Sequence, residues 1–379
     1  MLSDLADSIP GFEDRPGQNR MATAVEEAIQ KEEHLAIEAP CGVGKTFAYL
    51  LPAIRHALEN DTRVVVCTAN IALQEQIISK DLPALAKAID KPFRYELIKG
   101  IGNYLCLDRF QDLHGGRERG TFNRGEKAQW NKVVRWAEET VTGDMSDLPF
   151  EPAPGVWGRV KGVAEFCSGM ECHYFDDCFA MEARRRLRDA QIIVTNYHLF
   201  LAHLRLKAAA KKDVILPSYS VVICDEAHEL ADITREFFGL RLGPSSIYPL
   251  LRGAHHYQLG QLADRLKMAS TTFFNDVESF ARSDAYRNRI RTPGYVDGTA
   301  LAEGVSEFRE LLGNLRKSCD NERETDKVRK YDNLAEAYED TLGEFLRMPD
   351  DNMVYWVERD GRLASRLVDP SEILKTSLF

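Results

Sequence analysis

The chain has 379 residues, 44% of them hydrophobic and 28% charged, which gives length for two or three domains with a large core and excludes wholesale disorder. Its 49 Lys+Arg stand against 59 Asp+Glu, a net charge of −10, so bulk charge does not coat nucleic acid, while a local basic groove stays open. No apolar run approaches the ~18 residues of a membrane span, and the opening MLSDLADSIPGFEDRP lacks the basic and apolar regions of a secretory signal, so a cytoplasmic protein with no membrane partner is expected.

Taken in order, His34–Glu38 (HLAIE) is a predicted strand, Lys45–Leu58 a helix, Arg63–Thr68 (RVVVCT) a second strand and Asn70–Ser79 a helix. This βαβ order implies a parallel sheet covered by helices. Residues 101–189 break the pattern. They are rich in Gly, Trp and charge, and they hold four of the eight cysteines. The alternation resumes with the strand Gln191–Thr195 (QIIVT), the helix Tyr197–Lys207 and the strand Ser220–Cys224 (SVVIC). A block flanked by sheet elements marks an inserted domain, because insertions enter at loops. Residues 229–350 read as helices, among them Tyr257–Phe280 and Asn321–Arg347, and form a second insertion. Met353–Leu367 reads as a hairpin turning at Asp360-Gly361, and Ser371–Leu378 begins a short helix. The expected fold class is α/β. One sheet domain is built from 1–100 and 190–228, with 351–379 returning to it, and the insertions are 101–189 and 229–350.

Glu38-Ala-Pro-Cys-Gly-Val-Gly-Lys-Thr46 joins a predicted strand to a predicted helix, the context of a P-loop. A phosphate is cradled by curled backbone N–H groups. Gly42, Val43 and Gly44 supply that backbone, Lys45 a positive charge for the β/γ-phosphates, and Thr46 a hydroxyl for Mg²⁺. The helix N-terminus adds partial positive charge. Ala39 stands where the first glycine of the motif belongs. Val221-Val-Ile-Cys-Asp-Glu-Ala-His228 is an apolar strand ending in two acids. Asp225 can hold the Mg²⁺ hydration shell, and Glu226 can orient and deprotonate an attacking water. ATP and Mg²⁺ are the expected cofactors.

EAPCGVGKT and DEAH together resemble a superfamily-2 helicase, and further segments resemble the iron–sulfur helicases of the XPD/DinG type. These are Arg15-Pro-Gly-Gln18, Cys67-Thr-Ala-Asn-Ile-Ala-Leu-Gln-Glu-Gln76, Lys99-Gly-Ile-Gly-Asn-Tyr-Leu-Cys106 and Val194-Thr-Asn-Tyr-His-Leu-Phe200. The resemblance runs over essentially the whole chain and is weakest across 229–350. It implies an ATP-driven 5′→3′ DNA helicase whose RecA-like first motor carries an iron–sulfur cluster domain and a helical arch, with single-stranded DNA passing both. It also implies that Gln18 and Arg15 contact the nucleotide and that His228 couples the nucleotide site to DNA.

Cys106, Cys167, Cys172 and Cys178 are spaced C-x60-C-x4-C-x5-C. Four thiolates suit a 4Fe–4S cluster or a tetrahedral Zn²⁺, and spacing alone does not separate them. His173 keeps a Cys₃His zinc site open. The family resemblance favours 4Fe–4S. Cys67 and Cys224 end apolar strands and read as core residues. Cys41, inside the P-loop, could make ATP binding sensitive to oxidation.

Arg117, Arg119, Arg124, Lys127, Lys132 and Arg135 surround Trp130 and Trp136, and Arg184, Arg185, Arg186 and Arg188 follow Cys178. Each is a solvated helix cation or part of a groove in which cations track phosphates and aromatics stack on bases. Tyr104 is the aromatic candidate by analogy with the family, and Arg184 and Arg185 the cationic ones. Neither the Q-x-x-G-R-x-x-R motif nor the S-A-T motif of the family is present. An arginine finger is worth about 10³–10⁵ in rate, so slow hydrolysis by the chain alone is expected; the chain is either a truncated or split product whose partner carries the second motor, or a stand-alone remnant that binds DNA or a helicase partner. A non-enzymatic DNA-binding or regulatory remnant and a zinc-bearing nucleotide protein are the alternatives.

Overall fold

A computed structural model describes residues 15–40, 42–116, 122–283 and 288–378. Cys41, Arg117 and Arg119 lie outside the described residues. The chain divides into two units: Met1–Gly100 with Phe179–Thr234 and Ile373–Phe379, and Ile101–Cys178 with Arg235–Glu372.

The first unit is built on four parallel strands, β1 (Val64–Thr68), β2 (Tyr95–Leu97), β3 (Ile192–Asn196) and β4 (Val221–Cys224), in the order β2-β3-β1-β4. β1 is buried along its whole length. Such a strand must be apolar on both faces, as Val-Val-Val-Cys is. The register sets Cys67 opposite Thr195 on one side and Cys224 on the other. Helix Lys45–Glu59 buries Ala48, Tyr49, Leu50, Leu51, Ala53, Ile54 and Ala57 against this sheet core. Asn70, two residues past β1, and Asn196, the last residue of β3, cap the helices that follow, each accepting from the backbone N–H three residues on, Leu73 and Leu199. Helix formation therefore starts directly at the strand tips.

His34–Glu38 forms no strand, contrary to the sequence expectation. Leu35 is 46% and Ile37 38% exposed, and among the described residues the sheet ends at half-buried β4. Apolar residues make a strand only with a ladder partner and a neighbouring face to pack on, and this segment has neither.

The second unit has its own core. Helices Thr299–Ser318 and Glu322–Arg347 join through a short turn and bury Val305, Phe308 and Leu312 in one cluster with Val328, Ala335, Tyr338 and Leu342. Beside them runs an antiparallel sheet of β5 (Arg241–Leu242), β6 (Arg289–Ile290), β7 (Met353–Val357) and β8 (Leu363–Leu367), in the order β5-β8-β7-β6. The hairpin β7–β8 turns at Gly361, whose φ is 79°. It was expected to return to the parallel sheet and instead pairs with β5 and β6. Its inward residues, among them Tyr355, Val357 and Leu363, find their apolar partners in the helical core. The cysteine segment and the helices after 234 share this unit. They are tied by Ser168 Oγ donating to Asp326 at 2.9 Å, Lys327 to Asp112 at 3.2 Å and Lys330 to Asp108 at 2.6 Å. No helix among the described residues is long and apolar enough to cross a membrane.

Candidate functional site

The tip of β1, the tip of β4 and the start of helix Lys45–Glu59 meet in the first unit. Gly42 and Gly44 have φ of 82° and 86°, a left-handed backbone open to glycine at little cost. Between them they turn the chain so that Gly44 caps the helix. The loop is braced from the helix Pro16–Lys31. Gln18, buried, donates through Nε2 to the Gly44 carbonyl at 2.9 Å, and the Arg15 guanidinium donates to the Gly42 carbonyl. A Cβ on Gly44 would sit 2.3 Å from Gln18 Nε2, so a side chain there would displace the Gln18 amide and strain a left-handed backbone. Gln18 and Arg15 thus reach the loop through its backbone, where sequence reasoning placed them at the nucleotide.

Lys45 Nζ donates to Glu226 Oε1 at 2.9 Å, and both side chains are half-buried. Asp225 is held at the strand tip by its N–H bonding to the Cys67 carbonyl at 2.8 Å, while Tyr197 Oη donates to the Asp225 carbonyl at 2.8 Å. Glu226 adopts a left-handed backbone, φ 53°. This turn separates the two acids. Burial, then the neighbouring Glu226 charge, pushes the Asp225 carboxyl up despite Lys45. The Lys45 hydrogen bond holds Glu226 down. Environments that drive two adjacent carboxyls in opposite directions mark acid–base sites. His228, largely exposed, places Nδ1 3.4 Å from Glu226 Oε2.

Tyr49, which the sequence reading missed, is buried and interacts with both the Thr46 and the Asp225 side chains. Tyr197 was also missed as an anchor, although it opens the helix directly after β3.

Two family models match the chain: DEAD/DEAH box helicase over residues 16–100 and DEAD_2 over 164–247. ATP-dependent DNA helicase YoaA of Escherichia coli is 36% identical over 324 residues, 82% of this chain and 46% of that protein. YoaA of Haemophilus influenzae is 30% identical over 95% of this chain and 56% of its own length. ATP-dependent helicase DinG of Mycobacterium tuberculosis is 34% identical over 73% of this chain and 42% of its own. The chain belongs to the DinG-type superfamily-2 helicases. It spans about half the length of the curated relatives it matches.

Cys106, Cys167, Cys172 and Cys178 all lie in the second unit. Cys172 raises the Cys106 thiol, and Cys167 raises Cys172, each as a small contribution beside that of burial. Burial pushes the Cys106 thiol up to about 11, and it also raises Cys172, against the Tyr174 N–H and the Lys330 ammonium. Four thiols with a neighbouring cation are a chemically suitable donor set for an anionic cluster. Among the described residues, however, no group of three or more His, Cys, Asp or Glu side chains is gathered closely enough to hold a metal ion.

The nucleic-acid candidates are scattered. Tyr104 is 4% exposed and bridges to the Asp144 backbone, so its ring offers no face to a base. The burial runs against the expectation, which took Tyr104 as a stacking aromatic by analogy with the family. Trp130 packs with Phe110, His114 and Phe122, and Trp136 meets Trp157 edge-on. Arg184 and Arg185 are half-buried on helix Phe179–Arg186, and Arg185 pairs with Glu182 at 2.9 Å.

Proposed function

We propose that this chain provides the ATP-binding first motor of an ATP-dependent DNA helicase of the DinG type. The observation that carries this reading is the 2.9 Å pair between the P-loop lysine Lys45 and the DEAH acid Glu226, which brings the phosphate-binding and water-activating groups to one place. The amides of Gly42, Val43 and Gly44 and the Lys45 ammonium bind the triphosphate. Thr46 and Asp225 hold Mg²⁺, which neutralises the charge on the phosphates. When phosphate oxygens draw Lys45 away, Glu226 loses the hydrogen bond that lowers its basicity and becomes free to take a proton from the attacking water. His228, beside Glu226 and open to solvent, relays that change outward.

In this reading the parallel-sheet unit is RecA-like, residues 101–189 carry an iron–sulfur cluster and 229–350 form an arch-like insertion. Cys106, Cys167, Cys172 and Cys178 hold the 4Fe–4S cluster, which fixes the insertion structurally. Support comes from the thiol spacing and from the influence of Cys172 on Cys106 and of Cys167 on Cys172. Single-stranded DNA is the polymer substrate, with Arg184 and Arg185 on its path, and 5′→3′ polarity follows the family. A cytoplasmic location goes with this role.

The test is a paired titration of anaerobically purified protein with a fluorescent ATP analogue and a labelled single-stranded oligonucleotide, with iron and sulfide assayed alongside. Lys45→Ala should lose ATP affinity at least about tenfold while keeping its DNA affinity. ATP binding indifferent to Lys45 would overturn the nucleotide reading. Protein free of iron and sulfide would remove the cluster and leave the motor.

A further inference from the structure

At the end of the parallel sheet away from the nucleotide site, the turns leading into β1, β2 and β3 enclose an open cleft of about 570 Å³, within the size range of small-ligand sites. Each turn delivers one arginine to it: Arg63 before β1, Arg94 before β2 and Arg188 before β3. The chain carries a net charge of −10, so three guanidiniums around one cleft run against its overall balance and repel one another until an anion joins them. They are short of partners within the protein. Among the described residues, the Arg188 guanidinium makes no hydrogen bond or ion pair, and only the Arg188 carbonyl is engaged, by Arg63. The Arg63 Nε is buried and unpartnered. Arg94 meets Asp189 at 3.3 Å, with both side chains largely exposed, and such a pair contributes at most about 1 kcal/mol. The walls are fixed by backbone bonds. The Arg94 N–H donates to Gln191 Oε1 at 2.7 Å, the Gln191 N–H donates to the Arg94 carbonyl at 2.9 Å, and the Val64 N–H donates to the Gln191 carbonyl at 2.9 Å. The first of these occupies Gln191 Oε1 and leaves Nε2 as a donor.

We propose that this cleft is a second nucleotide site, one that takes a terminal phosphate on its three arginines. The five residues of β1 set it about 15 Å from the strand tips that carry the first site, so the two are separate and the inference does not rest on the ATP reading at Lys45. A phosphomonoester is a tetrahedral dianion whose oxygens engage several guanidinium forks at once, whereas a planar carboxylate is matched to one. Its double charge also displaces Asp189 from Arg94. Asp61 and Asp189, both in the lining, repel a long run of phosphates. They do accept hydrogen bonds from sugar hydroxyls and base amino groups, while Gln191 Nε2 donates to base acceptors. Cations on one part of the lining and acceptors on another suit a single nucleotide better than a bare phosphate. A free mononucleotide and the phosphorylated end of a strand present this same chemistry.

The test uses the full chain carrying Lys45→Ala, which silences the phosphate loop throughout, in a phosphate-free buffer of low ionic strength. Calorimetric titration with dAMP should show saturable binding. Adding Arg188→Ala should weaken it about tenfold, the order expected for one hydrogen bond to a charged group, and Arg94→Ala should act alike. Arg188 is exposed, so its replacement should leave the thermal unfolding temperature unchanged. Arg282→Ala, an exposed arginine of the second unit paired with Glu278, should leave dAMP affinity as it was. Absence of dAMP binding overturns the inference, and so does binding that Arg188→Ala and Arg282→Ala change equally or not at all. Deoxyadenosine binding as tightly as dAMP would overturn it as well, because the phosphate would then not be read. Competition separates the two sources. A short oligonucleotide that displaces dAMP only when it carries a 5′-phosphate supports a strand end. Failure of either form to displace it supports a free nucleotide. Equal displacement by both forms contradicts the terminal-phosphate assignment.

Discussion

Glu226 and Lys45 show how one ion pair serves two purposes. In the nucleotide-free protein each satisfies the other. A half-buried pair of this kind adds little stability; in the proposed motor its role is to keep the two groups poised until phosphate competes for the lysine. His203 is a different case. It is fully buried, its Nδ1 accepts from the Leu216 N–H at 3.2 Å, and burial draws its pKa down to about 4. The folded protein thus keeps this imidazole neutral while the unfolded chain binds a proton near pH 6.5. The stability it contributes is full above pH 6.5 and is lost as pH falls towards 4. Between pH 7 and pH 5 that amounts to about 2 kcal/mol. Urea unfolding followed by far-ultraviolet circular dichroism should show His203→Gln losing that much less than the wild type over the same interval. An equal loss in both proteins would contradict the assignment.

At the scale of elements, the strands β1, β3 and β4 and the long helices were legible because their residues carry the signal locally: β-branched runs buried on both faces, and Asn caps at strand ends. What needed long-range partners was not legible. His34–Glu38 has strand composition but no ladder. β7 and β8 were visible as a hairpin, but the sheet they join depends on helices hundreds of residues away in the chain or close by, and composition does not say which. The grouping of the cysteine segment with helix Glu322–Arg347 was hidden for a similar reason. It depends on Lys330, 6% exposed, whose ammonium meets Asp108 at 2.6 Å and Asp326 at 2.7 Å, and a lysine inside a polar helix reads as a solvated one. Lys330→Met would leave half-buried Asp108 without its cation and Asp326 with Arg329 alone, a loss of about 3–5 kcal/mol. All four tryptophans, Trp130, Trp136, Trp157 and Trp356, lie in this unit, so the urea midpoint read by tryptophan fluorescence should fall accordingly. A change below about 1 kcal/mol, the scale of an exposed pair, would show that the cluster is solvated.

Over the whole molecule, the meeting of Lys45 with Glu226 beside Asp225 was legible in outline, because a P-loop and a DEAH strand are local motifs. Tyr49 was not, because an aromatic at helical spacing reads as core, and here the ring is core while the hydroxyl interacts with Thr46 and Asp225. The nucleic-acid surface was least legible: whether an aromatic faces a base or a neighbouring side chain is decided by packing, and Tyr104 packs inward. The most direct measurement is a structure of the protein with magnesium and a non-hydrolysable ATP analogue. Lys45 Nζ should leave Glu226 and meet the β- and γ-phosphate oxygens, with Asp225 and Thr46 on the cation. A nucleotide bound elsewhere, with the 2.9 Å Lys45–Glu226 contact intact, would contradict the motor assignment.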